Sequence, residues 1–320
     1  MTVSTSMNQT ETEITLSCNG YRALVSNYGA SLRRFFHVDR DVATRDILWG
    51  YCGKAQKRGG QGDVLIPFPG RIRGGEYHFE GQTQQLERND KEGPNAIHGF
   101  VRTLFWNLED QSESMAQFRF ELTKDAFAGY PFSLGIQLRY ELTPDGLECK
   151  YTVRNSGKKP APVGAGFHPY FTVGTDLIDD AHLVIPATDV VEFAPDLLPT
   201  GAVIGVAGVA GGALDFRKPR RLGALKLNHC YTGLLRGTDG LARVKLENPA
   251  TRQKLTVWLD QSFPYLVMYT GDAIPAPHAR QALAIEPMTC ATDAFNHLDW
   301  VAVTLAPGQD KTGRFGITGH

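Results

Sequence analysis

Between Leu147 and Val153 every second residue is apolar: Leu147, Cys149, Tyr151 and Val153 alternate with Glu148, Lys150 and Thr152. A side-chain period of two describes a half-buried β-strand and rules out a helix over that stretch. The dipeptide Asp145-Gly146 stands just before it, and both residues tolerate the positive φ that a tight hairpin demands. The same signal recurs as Asn19-Gly20 ahead of YRALVSNYGASLRRFF, and as Asp239-Gly240 between the YTGLLRG and ARVKLEN runs. Residues Arg252 to Leu259 and Tyr265 to Thr270 predict two more strands, with Phe263-Pro264 between them. Amphipathic helical windows are scarce; Thr289 to His297 is the best place for a short helix. The Gly/Ala-rich stretch from Gly201 to Ala213 keeps Val203, Val206 and Val209, so it reads as a loop on the domain and not as a linker. No repeat at solenoid or propeller spacing is present. The pattern predicts one large antiparallel all-β domain over residues 1–320, a sandwich or barrel with few short helices.

A length of 320 residues is long for one domain but within the range of all-β folds. The 33 Lys and Arg against 34 Asp and Glu leave a net charge of −1, so no overall field draws in nucleic acid or an anionic membrane. No apolar run reaches the roughly 18 residues of a membrane span. Residues 1–13 are polar, which predicts a flexible N-terminus and no signal peptide. The five cysteines are scattered, with no C-x-x-C spacing, which argues against a disulfide framework or structural zinc and for a reducing cytoplasm. The expectation is a soluble cytoplasmic monomer or homodimer that handles a small molecule.

The nucleotide-binding, zinc-protease and serine-esterase signatures are all absent. Acid–base groups remain. Glu286 follows the apolar run Ala282-Leu283-Ala284-Ile285 and precedes Pro287, so it belongs at the end of a buried strand. A carboxylate there is either desolvated into a useful base or turned out to solvent where the strand ends. His168 sits in Gly164-Ala165-Gly166-Phe167-His168-Pro169-Tyr170-Phe171, glycines on one side and aromatics on the other, a setting that suits a ring-shaped ligand. It can equally be a structural histidine. His98, in Asn95-Ala96-Ile97-His98-Gly99-Phe100, repeats the theme. Arg71, in Pro67-Phe68-Pro69-Gly70-Arg71-Ile72, is a surface charge or a forked donor to sugar hydroxyls. His37, His78, His182, His278, His297 and His320 lie in polar or terminal contexts and read as surface residues. No pair has metal-ligand spacing with a carboxylate, so no metal and no cofactor is expected.

Taken together, these segments resemble the aldose 1-epimerase (mutarotase) family, from Asn27-Tyr28-Gly29-Ala30 to Leu305-Ala306-Pro307-Gly308. The segments that carry the resemblance are Pro67 to Ile72, Ile97-His98-Gly99, Phe167 to Phe171, Tyr269-Thr270-Gly271 and Ile285-Glu286-Pro287, in the family's order. The resemblance implies a galactose mutarotase-like β-supersandwich and a free aldose as substrate. It implies that Glu286 is the general base at the C1 hydroxyl and His168 the general acid at the ring oxygen. His98 and Arg71 are implied to hold the sugar. The chemistry needs one proton removed and one delivered, with nothing oxidised.

Two positions depart from the family's pattern. Gly70 stands where Asn usually precedes the arginine, and Asn228, in Asn228-His229-Cys230-Tyr231, stands where a sugar-binding Asp is usual. Asn228 still donates and accepts hydrogen bonds, without the charge. Asp215 either lies near the site or caps a turn. The alternatives are a mutarotase for a phosphorylated or sulfonated hexose, drawing on Arg71, Arg73, Lys218, Arg220 and Arg221, or a non-catalytic sugar-binding protein of the same fold. A glycoside hydrolase ranks lowest, because it needs a second carboxylate beside Glu286.

Overall fold

The computed structural model describes residues 10–38, 45–297, 300 and 303–319. Among them the chain is built of antiparallel strands, and the helical segments are three-residue 3₁₀ turns. The alternating run opens into the strand Gly146–Asn155, paired from Thr143↔Gly146 to Leu134↔Asn155 with the strand Leu134–Thr143. Leu147, Cys149, Tyr151 and Val153 are all buried, as their period requires. These two strands lie in a nine-stranded sheet that also holds Asp310–Gly319 and Lys254–Leu259.

A second sheet of eight strands runs in the order Pro199–Gly205, Ala187–Phe193, Asn228–Leu234, Tyr265–Tyr269, Leu283–Met288, Gly166–His168 and Asp63–Leu65, with the short strand Tyr170–Phe171 also paired to Leu283–Met288. Its two faces do different things. Phe167 points into the main core, where its ring meets Phe315 at 4.9 Å and Tyr151 at 5.9 Å, both from the nine-stranded sheet. Leu283, Ile285, Leu266, Met268 and Tyr231 join the same core. Because side chains alternate, Gly166, His168, Ala284, Glu286, Val267 and Cys230 must face the other way. That opposite face carries two smaller apolar clusters, one with Cys230, Val267 and Met288, the other with Tyr170, Ile274, Ala282 and Ala284. The floor of the candidate site lies between them.

Three expectations change. Asp239-Gly240 does make a turn, with the Gly240 N–H donating to the Gly237 carbonyl. Its flanking strands, Asn228–Leu234 and Ala242–Glu247, belong to different sheets, so the turn carries the chain across the sandwich and not around a hairpin. Part of the Gly/Ala-rich loop is an edge strand, Pro199–Gly205, whose outer position leaves Val203 exposed. Thr289 to His297 holds only the 3₁₀ turn Ala294–Asn296. Thr289 extends strand-like pairing with Ala165, its N–H donating and its hydroxyl accepting at 2.9 Å, and Asp293 takes a left-handed conformation that no helix interior allows. The expected flexible stretch 1–13 lies mostly outside the described residues, as does His320; Glu11, within them, pairs with Arg33 at 3.1 Å, and Glu13 opens a strand.

Candidate active site

Strand register builds the centre of the site. Gly166 pairs with Met288 and Tyr170 with Ala284, so His168 stands opposite Glu286 in the intervening rung. Pro169 and Pro287, each lacking an N–H, interrupt the ladder between those rungs. The side chains meet on the face away from the core, with His168 Nε2 at 3.4 Å from Glu286 Oε1. Both are buried, at 6% and 3% exposure, which decides against the reading of Glu286 as a solvent-facing strand end.

Burial acts on the two groups in opposite senses. It pushes the Glu286 carboxyl well above the usual carboxylate range, with the Arg71 charge pulling the other way. It pulls His168 down to about 4, while the carboxylate of Asp63 opposes that shift. A proton shared by these two side chains alone is therefore favoured on the carboxyl, facing a neutral imidazole.

The remaining expected residues surround this pair unevenly. His98 approaches His168 edge to face, with ring centroids 5.6 Å apart. Its Nδ1 accepts the Gly70 N–H at 3.2 Å, which leaves Nε2 to carry the proton of the neutral ring and act as donor. Burial, then the charges of His168, Arg102 and Arg71, hold His98 well below its ordinary value, so it stays neutral. Arg71 is clamped by Asp90 at 2.7 Å through Nε and by Glu92 at 2.6 Å through Nη2. These bonds aim the guanidinium and keep its charge close enough to act on Glu286. Asn228 pairs with Tyr269, which pairs with Ala284, so it shares the site face but lies about 10 Å across the sheet from the Glu286 strand.

Gly70 accounts for the first departure in its motif. Its φ is +68°, and a Cβ there would collide with Thr292 Oγ1. Asp215 is a turn residue, accepting the Arg217 N–H at 3.1 Å and pairing with that guanidinium. The cations considered for an anionic sugar are mostly occupied. Arg73 reaches Asp196 and Asp293, Arg221 reaches Asp180, and Arg220 donates to the carbonyls of Gly212, Ala213 and Asp215. Lys218 is exposed. Of the described histidines read as surface residues, His78 is exposed, whereas His37, His182, His278 and His297 are partly buried; His37 meets the Tyr21 ring at 4.8 Å and His297 stacks on Trp300 at 3.8 Å between ring centroids.

Sequence reasoning missed Asp63, Lys57 and Arg102. Asp63 pairs in register with His168, is 2% exposed, and holds Lys57 at Oδ1 and Arg102 at 3.2 Å through Oδ2. The available signal was a charged residue heading the apolar run Val64-Leu65-Ile66. Tyr170 was quoted within a motif but given no role; it stacks on His168 at 5.0 Å and donates its hydroxyl to the Gly59 carbonyl. Among the described residues, no group of three or more His, Cys, Asp or Glu converges to hold a metal ion, and no helix is long and apolar enough to cross a membrane.

The all-β sandwich is the fold of galactose mutarotase-like proteins. A GalM/aldose epimerase homologue from C. elegans superposes with a TM-score of 0.87 at 20% identity, covering 97% of this chain and 99% of that one. Galactose 1-epimerase from Lactobacillus acidophilus superposes with a TM-score of 0.80 at 21% identity, covering 100% and 97%. The aldose 1-epimerase family profile matches residues 12–318, and the chain belongs to that family. In sequence it is 28% identical over 301 residues to the uncharacterized protein YihR of Escherichia coli (strain K12), covering 91% of this chain and 88% of that protein.

Proposed function

We propose that this protein is an aldose 1-epimerase, an isomerase interconverting the α and β anomers of a free aldohexose by acid/base-catalysed ring opening and closure. The observation that carries the reading is the Glu286–His168 pair, 3.4 Å apart and buried on the outer face of the sheet. Glu286 takes the proton of the C1 hydroxyl while His168 delivers one to the ring oxygen. The bond between C1 and the ring oxygen breaks, C1 becomes the aldehyde and the ring oxygen becomes the C5 hydroxyl; the C1–C2 bond rotates, and closure with the roles reversed gives the other anomer.

The proton count balances across this cycle. Before ring opening the pair holds one proton on His168; after opening it holds one proton on Glu286. The second arrangement is the one that burial of the two side chains favours. The bound sugar is expected to favour the first, because its C1 hydroxyl donates to the carboxylate and its ring oxygen accepts from the imidazolium. His98 Nε2–H and the Arg71 guanidinium supply donors that orient the sugar, and Asn228 offers a hydrogen-bonding group at the rim.

The test is polarimetry of freshly dissolved α-anomers over a panel of free aldoses, with hexose 6-phosphates and a 6-sulfonated hexose included. The expected result is faster approach to anomeric equilibrium with no net product. No acceleration for any sugar of the panel would remove the proposal and leave a sugar-binding protein of this fold.

A further inference from the structure

The Glu286–His168 pair is the middle of a longer row. Asp63, His168 and Glu286 stand side by side on three adjacent strands, and all three point to the same sheet face. The Cβ atoms of neighbours in such a rung are about 5 Å apart. A buried carboxylate thus flanks the imidazole on the side away from Glu286. Gly60 closes the row from above: a Cβ placed there would sit 3.2 Å from His168 Cδ2 and 3.4 Å from Asp63 Oδ2.

The opposite end of the row carries the opposite charge. Arg71 acts on Glu286, and Asp63 acts on His168. The two outer charges favour a negative carboxylate and a positive imidazole, the charge-separated form that ring opening starts from. Lys57 and Arg102, both on Asp63, set how much of its charge reaches the ring. The other polar groups facing His168 are Glu286, the neutral His98 and the Tyr170 ring. Besides Glu286, Asp63 is the carboxylate that acts on His168.

We propose that Asp63 is a positioning residue for the His168 proton. Its carboxylate, next to the imidazole in the cross-strand row, stabilises the imidazolium that delivers a proton to the ring oxygen, and Lys57 and Arg102 set the strength of that effect. This rests on His168 acting as the acid.

The test is titration of [15N]His-labelled protein by NMR, together with kcat and KM across pH, for wild type, Asp63→Asn and Lys57→Met. Asp63→Asn should move the His168 titration down by about one pH unit and lower kcat about tenfold, with KM nearly unchanged. Lys57→Met should move the titration up, since it removes a cation from the same carboxylate. Opposite shifts from two neighbouring substitutions are not expected of a merely structural role. An unchanged His168 titration in both variants, or shifts of the same sign, would overturn the proposal. If Asp63→Asn does not fold, Lys57→Met decides alone: an upward shift supports the role and any other result overturns it. The titration reads His168 whether or not the enzyme turns over. Failure of the mutarotase reading would show separately, as no acceleration of anomer interconversion by the wild type, whereas activity surviving in His168→Asn would remove His168 as the acid.

Discussion

At Glu286 the same burial that suits the residue to proton transfer also costs stability. The carboxyl keeps its proton in the folded protein at pH values where the unfolded chain has lost it. The folded state then binds more protons, so stability falls as pH rises from the unfolded carboxylate value toward the raised folded one. Glu286→Gln removes this dependence. Its melting temperature should exceed that of wild type, and by more at pH 7.5 than at pH 5; an equal difference at both would contradict the shift. His168 works the other way: held at about 4 against an ordinary 6.5, it contributes stability above 6.5 that is lost as pH falls toward 4.

The kinetic consequences belong to the pair. Glu286→Gln and His168→Asn should each lower turnover by about 10²–10⁴ while sugar binding largely survives. The double variant should be little worse than either, since the two act in one proton cycle. Turnover within about tenfold of wild type in Glu286→Gln would remove it as the base. In kcat/KM the acid limb should lie near the His168 value of about 4 and the alkaline limb above the usual carboxylate range. Glu286 and His168 were both legible in the sequence because a following proline marks each. Asp63 was not, because it lies 105 positions from His168, by subtraction of their numbers, and only strand register brings them together.

Turns and strand ends explain what the sequence pattern could and could not say about elements. Period-two alternation located Gly146–Asn155 because one face of that strand meets the core and the other meets solvent. It was silent over Leu283–Met288, where every residue is buried and no alternation of polarity exists to read. Asp239-Gly240 gave the turn correctly but not its destination, since a dipeptide fixes local direction and not which sheet receives the chain. Gly70 is a position where local geometry decides between two side chains. Gly70→Asn should destabilise the protein by about 1–3 kcal/mol, because the new Cβ meets Thr292 at a left-handed φ. Combining it with Thr292→Gly should recover part of that loss in thermal melts; no recovery would mean that φ, and not the collision, sets the cost.

Across the whole molecule, one sheet is shared between core and chemistry. Phe167 fills the space between the two large sheets while its neighbour His168 faces Glu286. Phe167→Ala should cost about 3–5 kcal/mol in denaturant unfolding, the range for a buried aromatic. A loss under about 1 kcal/mol would show that the sheets close over the gap. The scattered donors also bear on the reaction as a whole: activity should be unchanged by chelators, and loss restored by a divalent ion would refute this. The all-β class and the antiparallel pairing were readable from turn signals, whereas the division of labour between sheet faces needed the packing.

That division has a bearing on how such an enzyme can change over generations. The residues proposed to move protons are braced from below by Phe167 and Ile285, so drift in the core is transmitted to the reacting pair. The rim is supplied by other segments: Asn228 at a strand end, Tyr269 beside it, and Gly70 in its turn. Of these, Asn228 stands outside the core that braces the pair. Under the proposed function, descendants of one ancestral chain are expected to trade one sugar for another through positions such as Asn228, while the machinery beneath is inherited intact.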